Sequence, residues 1–119
     1  MTDILNFSLA LLSIVLGGVG WLAPRYAMDV LDLEPVRSTM GVSETRAASG
    51  ALFVGLGLGA LLLGTAGGYA MVGFAWAGAA TGRITSILLD ERPTRKTHAY
   101  AAVELAVGGL LLWINLPNV

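Results

Sequence analysis

Cysteine is absent from the 119-residue chain, and histidine occurs once, as His98. The absence of cysteine excludes a disulfide framework, a thiolate metal site and a cysteine nucleophile. One histidine is too few for the nitrogen and sulfur ligand sets that usually hold zinc. The sequence therefore predicts neither a metal site nor a bound cofactor.

Charged residues are also scarce. They make up 13% of the chain, against about 25% in soluble domains. Hydrophobic residues make up 55%, and the mean hydropathy is +0.74. A domain this small has too much surface to hide so many apolar side chains in a soluble core. The net charge of −1 offers no electrostatic footprint for nucleic acid. This composition predicts an integral membrane protein.

Four apolar segments are each long enough to cross the hydrocarbon as a helix, which takes about 20 residues. They cover about residues 4–23, 44–64, 68–89 and 98–116. Pro24 and Pro117 end the first and last segments, and no segment alternates with the period of a strand. The first segment is interpreted as retained, because the only early charge is Asp3 and a signal peptide begins with basic residues. The predicted fold is all-α, a single-domain four-helix membrane bundle over residues 1–119.

Lysine and arginine fall on one side of the predicted bundle. The tail before residue 4, the turn at residues 65–67 and the tail at residues 117–119 contain neither. The basic residues lie in loop 25–43, in loop 90–97 or near the same ends of the spans: Arg25, Arg37, Arg46, Arg83, Arg92, Arg95 and Lys96. Because basic residues remain cytoplasmic, both termini are expected on the non-cytoplasmic side of the membrane.

The first loop, residues 25–43, is too long for a simple turn. Pro24 suits the first turn of a helix, and Tyr26, Val30 and Leu33 fall near one face. The pattern fits a short helix that lies in the membrane interface, and it fits an irregular loop equally well.

Small residues recur at intervals of four in the second and third spans, and such stripes allow helix backbones to approach closely in lipid. Two roles remain open for them, packing within the bundle and a homo-oligomer seam. The predicted packing positions are Ala47, Ala51, Gly55, Gly59, Gly78, Gly82 and Gly108.

Two charged residues lie inside spans. Arg83 and Glu104 are each about six residues from the cytoplasmic end of the predicted helix, which places them about 9 Å deep at 1.5 Å per residue. A charge at the bilayer centre costs about 2.5 kcal/mol or more. Equal depth on consecutive helices therefore predicts that Arg83 and Glu104 pair.

Helical spacing brings further polar side chains to the same level, because residues three or four apart share a face. The predicted polar layer contains Arg46, Ser49, Arg83, Ser86, Tyr100 and Glu104, with Glu44 and Asp90 at its rim. In one interpretation the pair is a structural salt bridge, or Arg83 extends to the interface. In the other, the layer binds an anionic group such as a lipid phosphate or a carboxylate.

Three short motifs resemble those of a known protein family. They are G-R-x-x-S-x-x-x-D from Gly82 to Asp90, R-A-x-x-G from Arg46 to Gly50, and the Tyr100…Glu104 element. Together they resemble a family of small four-span bacterial membrane proteins catalogued as a domain of unknown function, distantly similar to the DoxX-like group. The resemblance implies a four-helix inner-membrane bundle but no activity. Its characteristic positions would be Arg46, Gly82, Arg83, Ser86, Asp90 and Glu104.

No catalytic constellation is visible, because no serine stands in a nucleophile motif, and an enzyme is therefore not favoured. The first hypothesis is a structural or accessory membrane bundle, whose partners are lipids and either its own copies or a larger membrane complex. The alternative is a small oligomeric protein that binds or transports an anionic ligand, a lipid or protons through Arg83 and Glu104.

Overall fold

Helices account for nearly all of residues 2–119, the part of the chain that the computed structural model describes. They are α1 (Thr2–Leu22), α2 (Pro24–Val30), α3 (Met40–Arg46), α4 (Leu52–Leu63), α5 (Ala66–Leu89) and α6 (Arg95–Asn115). A π-helical turn, Ala47–Ala51, joins α3 to α4, and a 3₁₀ turn, Leu116–Asn118, follows α6. No strand occurs within the described residues, and the predicted all-α fold is confirmed.

Four helices are long and apolar enough to span a membrane. They cover Thr2–Leu22, Met40–Leu63, Ala66–Leu89 and Arg95–Asn118. The predicted spans differ from these bounds by at most four residues, the largest difference being at Met40. The helices extend past the apolar runs because charged residues in a terminal turn do not end a helix. The chain is thus an integral membrane protein with four spanning helices.

Threonine side chains cap the last two spanning helices. Thr65 Oγ1 accepts a hydrogen bond from the Gly68 N–H at 3.1 Å, and Thr94 Oγ1 accepts one from the Thr97 N–H at 3.3 Å. Each bond satisfies a backbone donor that the first turn of a helix leaves unpaired. Gly64, with φ +61°, ends α4 in the left-handed conformation that glycine adopts without strain. Two residues, Gly64 and Thr65, therefore connect α4 to α5.

The first loop contains both a helix and an irregular segment. Helix α2 begins at Pro24, where the missing N–H of proline costs nothing. After Val30 the backbone turns through Asp32, which has φ 58°, and stays irregular up to Met40. The predicted short helix is thus confirmed, and its position in the membrane interface stays a prediction.

The chain divides into two compact units, one formed by Phe7–Leu62 and the other by Leu63–Val119 with the residues up to Asn6. The description of residues 1–119 as a single domain therefore stays a prediction.

In the unit Phe7–Leu62, α1 packs against the second spanning helix through glycines. A Cβ on Gly17 would lie 2.6 Å from the Gly50 carbonyl oxygen, and one on Gly57 would lie 2.7 Å from the Ala10 carbonyl oxygen. Real Cβ atoms do not come so close to a backbone atom, so only glycine allows these helices to approach. Such close backbone contact drives helix association in lipid, where burying apolar surface gains little.

In the unit that contains Leu63–Val119, α5 and α6 form a tightly packed hairpin. A Cβ on Gly108 would lie 2.6 Å from the Ala77 backbone nitrogen, and one on Gly73 would lie 2.9 Å from the Leu111 Cβ. Trp76 and Leu111 are buried in this unit. The close approach brings the side chains of α5 and α6 within direct reach of each other.

Most of the predicted packing glycines lie elsewhere on the helix surfaces. Gly108 is at a close helix–helix approach, as predicted. A Cβ on any of four others would meet no neighbouring atom of the described chain within 4 Å: Gly55, Gly59, Gly78 and Gly82. Of the predicted alanines, Ala47 is exposed and Ala51 is half-buried. For those four glycines both predicted roles, packing within the bundle and a homo-oligomer seam, stay predictions.

Two buried asparagines join the first turns of α1 to the end of α6. Asn6 Nδ2 donates to Asn115 Oδ1 at 2.9 Å, and Asn115 Nδ2 donates to Asn6 Oδ1 at 2.7 Å. Asn115 Nδ2 also donates to the Leu111 carbonyl at 2.8 Å. Both residues are less than a tenth exposed. The two amides thus satisfy each other where lipid offers no alternative partner.

Gly108→Ala is expected to lower the free energy of unfolding by about 1–3 kcal/mol, because the new methyl group forces α5 and α6 apart. The matched control is Gly109→Ala, since its Cβ would enter open space. That change should raise stability by up to about 1 kcal/mol through lower backbone entropy of the unfolded chain. Unfolding in mixed micelles measures both. Equal stability of the two variants would contradict the tight α5–α6 packing.

Asn6→Leu and Asn115→Leu are each expected to destabilise the protein, because each leaves one buried amide without its partner. The double variant should cost less than the sum, with a coupling of about 1 kcal/mol, in the range of interhelical hydrogen bonds in membranes. Asn118→Leu is the control, since Asn118 is exposed and its amide donates to the Ile114 carbonyl of its own helical segment. A double-mutant cycle on unfolding free energy measures the coupling, and additive costs would count against the amide pair.

Candidate functional site

The predicted ion pair between Arg83 and Glu104 is present. Arg83 Nε donates to Glu104 Oε1 at 3.0 Å. Arg83 lies six residues before the end of α5 at Leu89, and Glu104 lies nine residues after the start of α6 at Arg95. These positions are about 9 and 14 Å from the helix ends, so the glutamate is deeper than predicted. The long side chain of Arg83 reaches across this difference in depth.

The two partners differ in burial. The side chain of Arg83 is 38% exposed and that of Glu104 is 10% exposed. Arginine covers apolar surface with its stem while its guanidinium remains reachable from outside. The pair thus presents its positive end at the surface of the unit and keeps its negative end inside.

Tyr100 holds the guanidinium from a second direction. The Arg83 Cζ atom lies 5.4 Å from the centroid of the Tyr100 ring, within the range of a cation–π contact. Tyr100 precedes Glu104 by one turn on α6, so the same helix supplies both contacts. A side chain that is both hydrogen-bonded and stacked has a defined plane, which fixes where its remaining donors point.

Hydrogen-bonding capacity is left over on both partners. A guanidinium carries five N–H donors, and only Nε of Arg83 has an acceptor among residues 2–119. Glu104 Oε2 is buried and has no hydrogen-bond partner in the same residues. Buried polar atoms are normally paired, so an orphaned carboxylate oxygen beside spare donors marks an incomplete site.

A cleft of about 250 Å³ lies at this position. It is lined by Ala79, Gly82, Arg83, Ser86 and Glu104. Ala79, Arg83 and Ser86 follow each other at helical spacing along one face of α5. Gly82 widens the opening because it has no side chain. The cleft therefore combines a guanidinium, a hydroxyl and a carboxylate in a space open to a ligand.

Two members of the predicted layer, Arg46 and Ser49, belong to the unit Phe7–Leu62. Arg46 Nη1 donates to the Trp21 carbonyl at 2.8 Å. That carbonyl lies in the last turn of α1, where helix carbonyls lack intrahelical donors and a cation is favourable. Ser49 lies in the π-helical turn. Whether Arg46 and Ser49 share a layer with Arg83 stays a prediction.

The rim residues Glu44 and Asp90 are both exposed. Asp90 is the C-cap residue of α5, and its N–H donates to the Ser86 carbonyl at 2.9 Å. The structure thus gives Asp90 a backbone role at the helix end, and its part in a polar rim stays a prediction.

The sequence reasoning missed Asn6 and Asn115. The signal was available, because each is an amide near the end of an otherwise apolar span. Their separation of 109 residues gives no local pattern that would join them. The contact of Arg83 with the Tyr100 ring was also missed, although Tyr100 had been placed in the layer.

Arg83→Leu and Glu104→Leu are expected to have unequal costs. Arg83→Leu leaves a buried carboxylate unpaired, which should cost about 3 kcal/mol or more. Glu104→Leu leaves a half-exposed arginine that can extend toward water, so its cost should be about 1 kcal/mol. A double-mutant cycle on unfolding free energy should give a coupling above about 0.5 kcal/mol. Strictly additive costs would show that the two charges do not stabilise each other.

A comparison with known proteins places the chain in a family. No curated protein and no solved structure matches it. A family model does match, over residues 1–115, and it is described as a domain of unknown function, DUF4345. The matched region covers nearly the whole chain and includes Arg83, Tyr100 and Glu104 with the cleft they line. The chain therefore belongs to the DUF4345 family.

Proposed function

We propose that this protein is a membrane-resident binding protein that holds the anionic group of an amphiphilic molecule in the Arg83 cleft. The observation that carries the proposal is the set of unpaired Nη donors on a guanidinium whose orientation is already set by Glu104 and Tyr100. Binding a phosphate or carboxylate there needs no rearrangement of the arginine, and preorganisation of this kind raises affinity.

The chemistry of the guanidinium selects the ligand group. Its planar fork of N–H donors matches the oxygens of a phosphate or carboxylate, and charge-assisted bonds of this type are short and strong. Nε is already used by Glu104, so the Nη groups are the donors that remain. Ser86, one turn further along α5, adds a hydroxyl that can donate or accept.

The position of the cleft indicates an amphiphile. The cleft extends over residues 79–86 of a spanning helix, and Arg83 is about 9 Å from the helix end. Large apolar side chains of the same helix are exposed, among them Ile84, Leu88 and Leu89, as expected of a span that faces lipid. A molecule with a polar head in the cleft and an apolar tail in the surrounding hydrocarbon would satisfy both environments.

A structural role is the second candidate, and the ion pair itself favours it. Arg83 and Glu104 are bonded directly to each other, and breaking a buried pair is costly. In this alternative the pair keeps α5 and α6 in register, and the protein is an accessory bundle for a larger membrane complex. The binding function and the structural role differ in whether the remaining Nη donors of Arg83 bind a ligand.

The orientation belongs to the same proposal. The distribution of lysine and arginine supports a bacterial inner membrane with both termini on the non-cytoplasmic side. The Arg83 cleft would then open toward the cytoplasmic leaflet, since it lies in the half of α5 nearest residues 90–97. A homo-oligomer in the membrane is compatible with these positions.

Because the chain contains no cysteine, single substitutions report orientation directly. Val119→Cys is expected to react with a membrane-impermeant maleimide on intact cells, and Glu91→Cys is expected to react only after lysis. Both positions are exposed in the structure, so burial does not limit the labelling. The reverse pattern would overturn the proposed orientation.

Native mass spectrometry of the protein gently extracted from its own membranes tests the binding function. The wild type is expected to carry a reproducible additional mass, which Arg83→Ala loses because the anion contact is gone. Arg37→Ala is the matched control, since it removes an exposed arginine between α2 and α3 and should retain the mass. A wild-type protein that is bare under these conditions would contradict binding and favour the structural role.

A further inference from the structure

The Arg83 cleft carries no net charge. Its charged lining residues are one arginine and one glutamate, and its other lining residues, Ala79, Gly82 and Ser86, are uncharged. A simple anion bound to Arg83 would stand close to the Glu104 carboxylate and be repelled by it. A ligand with a negative and a positive end would meet both charges favourably. The charge balance therefore selects against a plain anion.

Glu104 requires a hydrogen-bond donor from the ligand. Its side chain is nine-tenths buried and lines the cleft, and Oε2 has no hydrogen-bond donor within residues 2–119. An ionised carboxylate only accepts hydrogen bonds, so the partner for Oε2 must be a donor. The terminal torsion of a glutamate is broad, which allows the carboxylate to turn toward a donor that enters the cleft.

Resting on the proposed function, we infer that the ligand is a zwitterion with a primary ammonium next to a phosphate, as in the ethanolamine headgroup. The phosphate accepts from the Nη groups of Arg83, and the ammonium donates to Glu104 Oε2 and to Ser86 Oγ. A primary ammonium has three N–H donors. A quaternary ammonium has none, and a glycerol headgroup has no positive charge.

The size of the cleft is compatible with this pair of groups. A volume of about 250 Å³ corresponds to about eight water molecules at roughly 30 Å³ each. That is enough for a phosphate and an ethanolammonium group side by side. The acyl chains of a lipid would remain outside the cleft, in the surrounding hydrocarbon.

A lipid series tests the inference on the wild-type protein, without relying on any variant. Delipidated protein is titrated in detergent with four lipids of identical acyl chains, and the bound fraction is read by native mass spectrometry. The lipids are phosphatidylethanolamine, its N,N-dimethyl derivative, phosphatidylcholine and phosphatidylglycerol. Phosphatidylethanolamine should bind about tenfold tighter than phosphatidylcholine or phosphatidylglycerol, the value of one charge-assisted hydrogen bond.

Two glutamate variants identify the residue responsible. Glu104→Gln removes the negative charge and should lower the ethanolamine preference over the glycerol headgroup to near unity. Glu34→Gln is the matched control, an exposed glutamate between α2 and α3 outside the cleft, and should keep the preference. Thermal unfolding of each variant confirms that it is folded before its affinities are compared.

Failure of the inference and failure of the proposed function give different results. Equal binding of phosphatidylethanolamine and phosphatidylglycerol, both lost in Arg83→Ala, would overturn the zwitterion and leave the anion site standing. Binding that Arg83→Ala does not weaken for any lipid would overturn the proposed function itself.

Competition with soluble phosphoethanolamine distinguishes the two sources of the headgroup. Displacement of the lipid would show that the polar group is sufficient and that a free zwitterion is a ligand. Retention of the lipid against an excess of phosphoethanolamine would show that the acyl chains contribute and that the ligand is the lipid. Both results support the zwitterion assignment, provided that the lipid series shows the ethanolamine preference.

Discussion

The pairing of Arg83 with Glu104 is what permits charge inside the last two spanning helices. Hydrocarbon offers no water to solvate a carboxylate, and a lone charge in the interior of a span would oppose insertion of the helix. The pair solves this with one hydrogen bond of 3.0 Å and a tyrosine ring over the guanidinium. The close α5–α6 approach at Gly73 and Gly108 brings the partners within reach. The ion pair, the glycine contacts and the cleft are thus parts of one arrangement.

The pair is incomplete in a way that a purely structural salt bridge would not need to be. A salt bridge that holds two helices in register is most stable when both partners make all their hydrogen bonds, because every unpaired buried polar atom costs free energy. Here one carboxylate oxygen lacks a donor among residues 2–119, and one side of the arginine opens to a cleft with small walls at Ala79 and Gly82. Natural proteins tolerate such local defects mainly where something binds.

The sequence was sufficient for properties that depend on composition and on spacing along one helix. Hydropathy located all four spans, and depth along α5 and α6 predicted the ion pair. It was insufficient where the outcome depends on which neighbour a helix face meets. Gly55 and Gly78 have the same spacing pattern as the glycines that pack closely within a unit, yet a Cβ on either would meet no atom of the described chain within 4 Å. The bond of Arg46 to the carbonyl at the end of α1 also has no signal in the sequence. Asn6 and Asn115 were joined only by tertiary structure.

The π-helical turn at Ala47–Ala51 sets the rotational phase between α3 and α4. A π turn holds one residue more than the α-helix it interrupts, and each residue of an α-helix rotates the chain by about 100°. Gly57, in α4, and Arg46, at the end of α3, lie on either side of this turn and both contact α1. Removing one residue from this turn would leave composition and hydropathy nearly unchanged. It would nevertheless turn α3 away from the carbonyl end of α1, so the length of this helix carries structural information that its residue types do not.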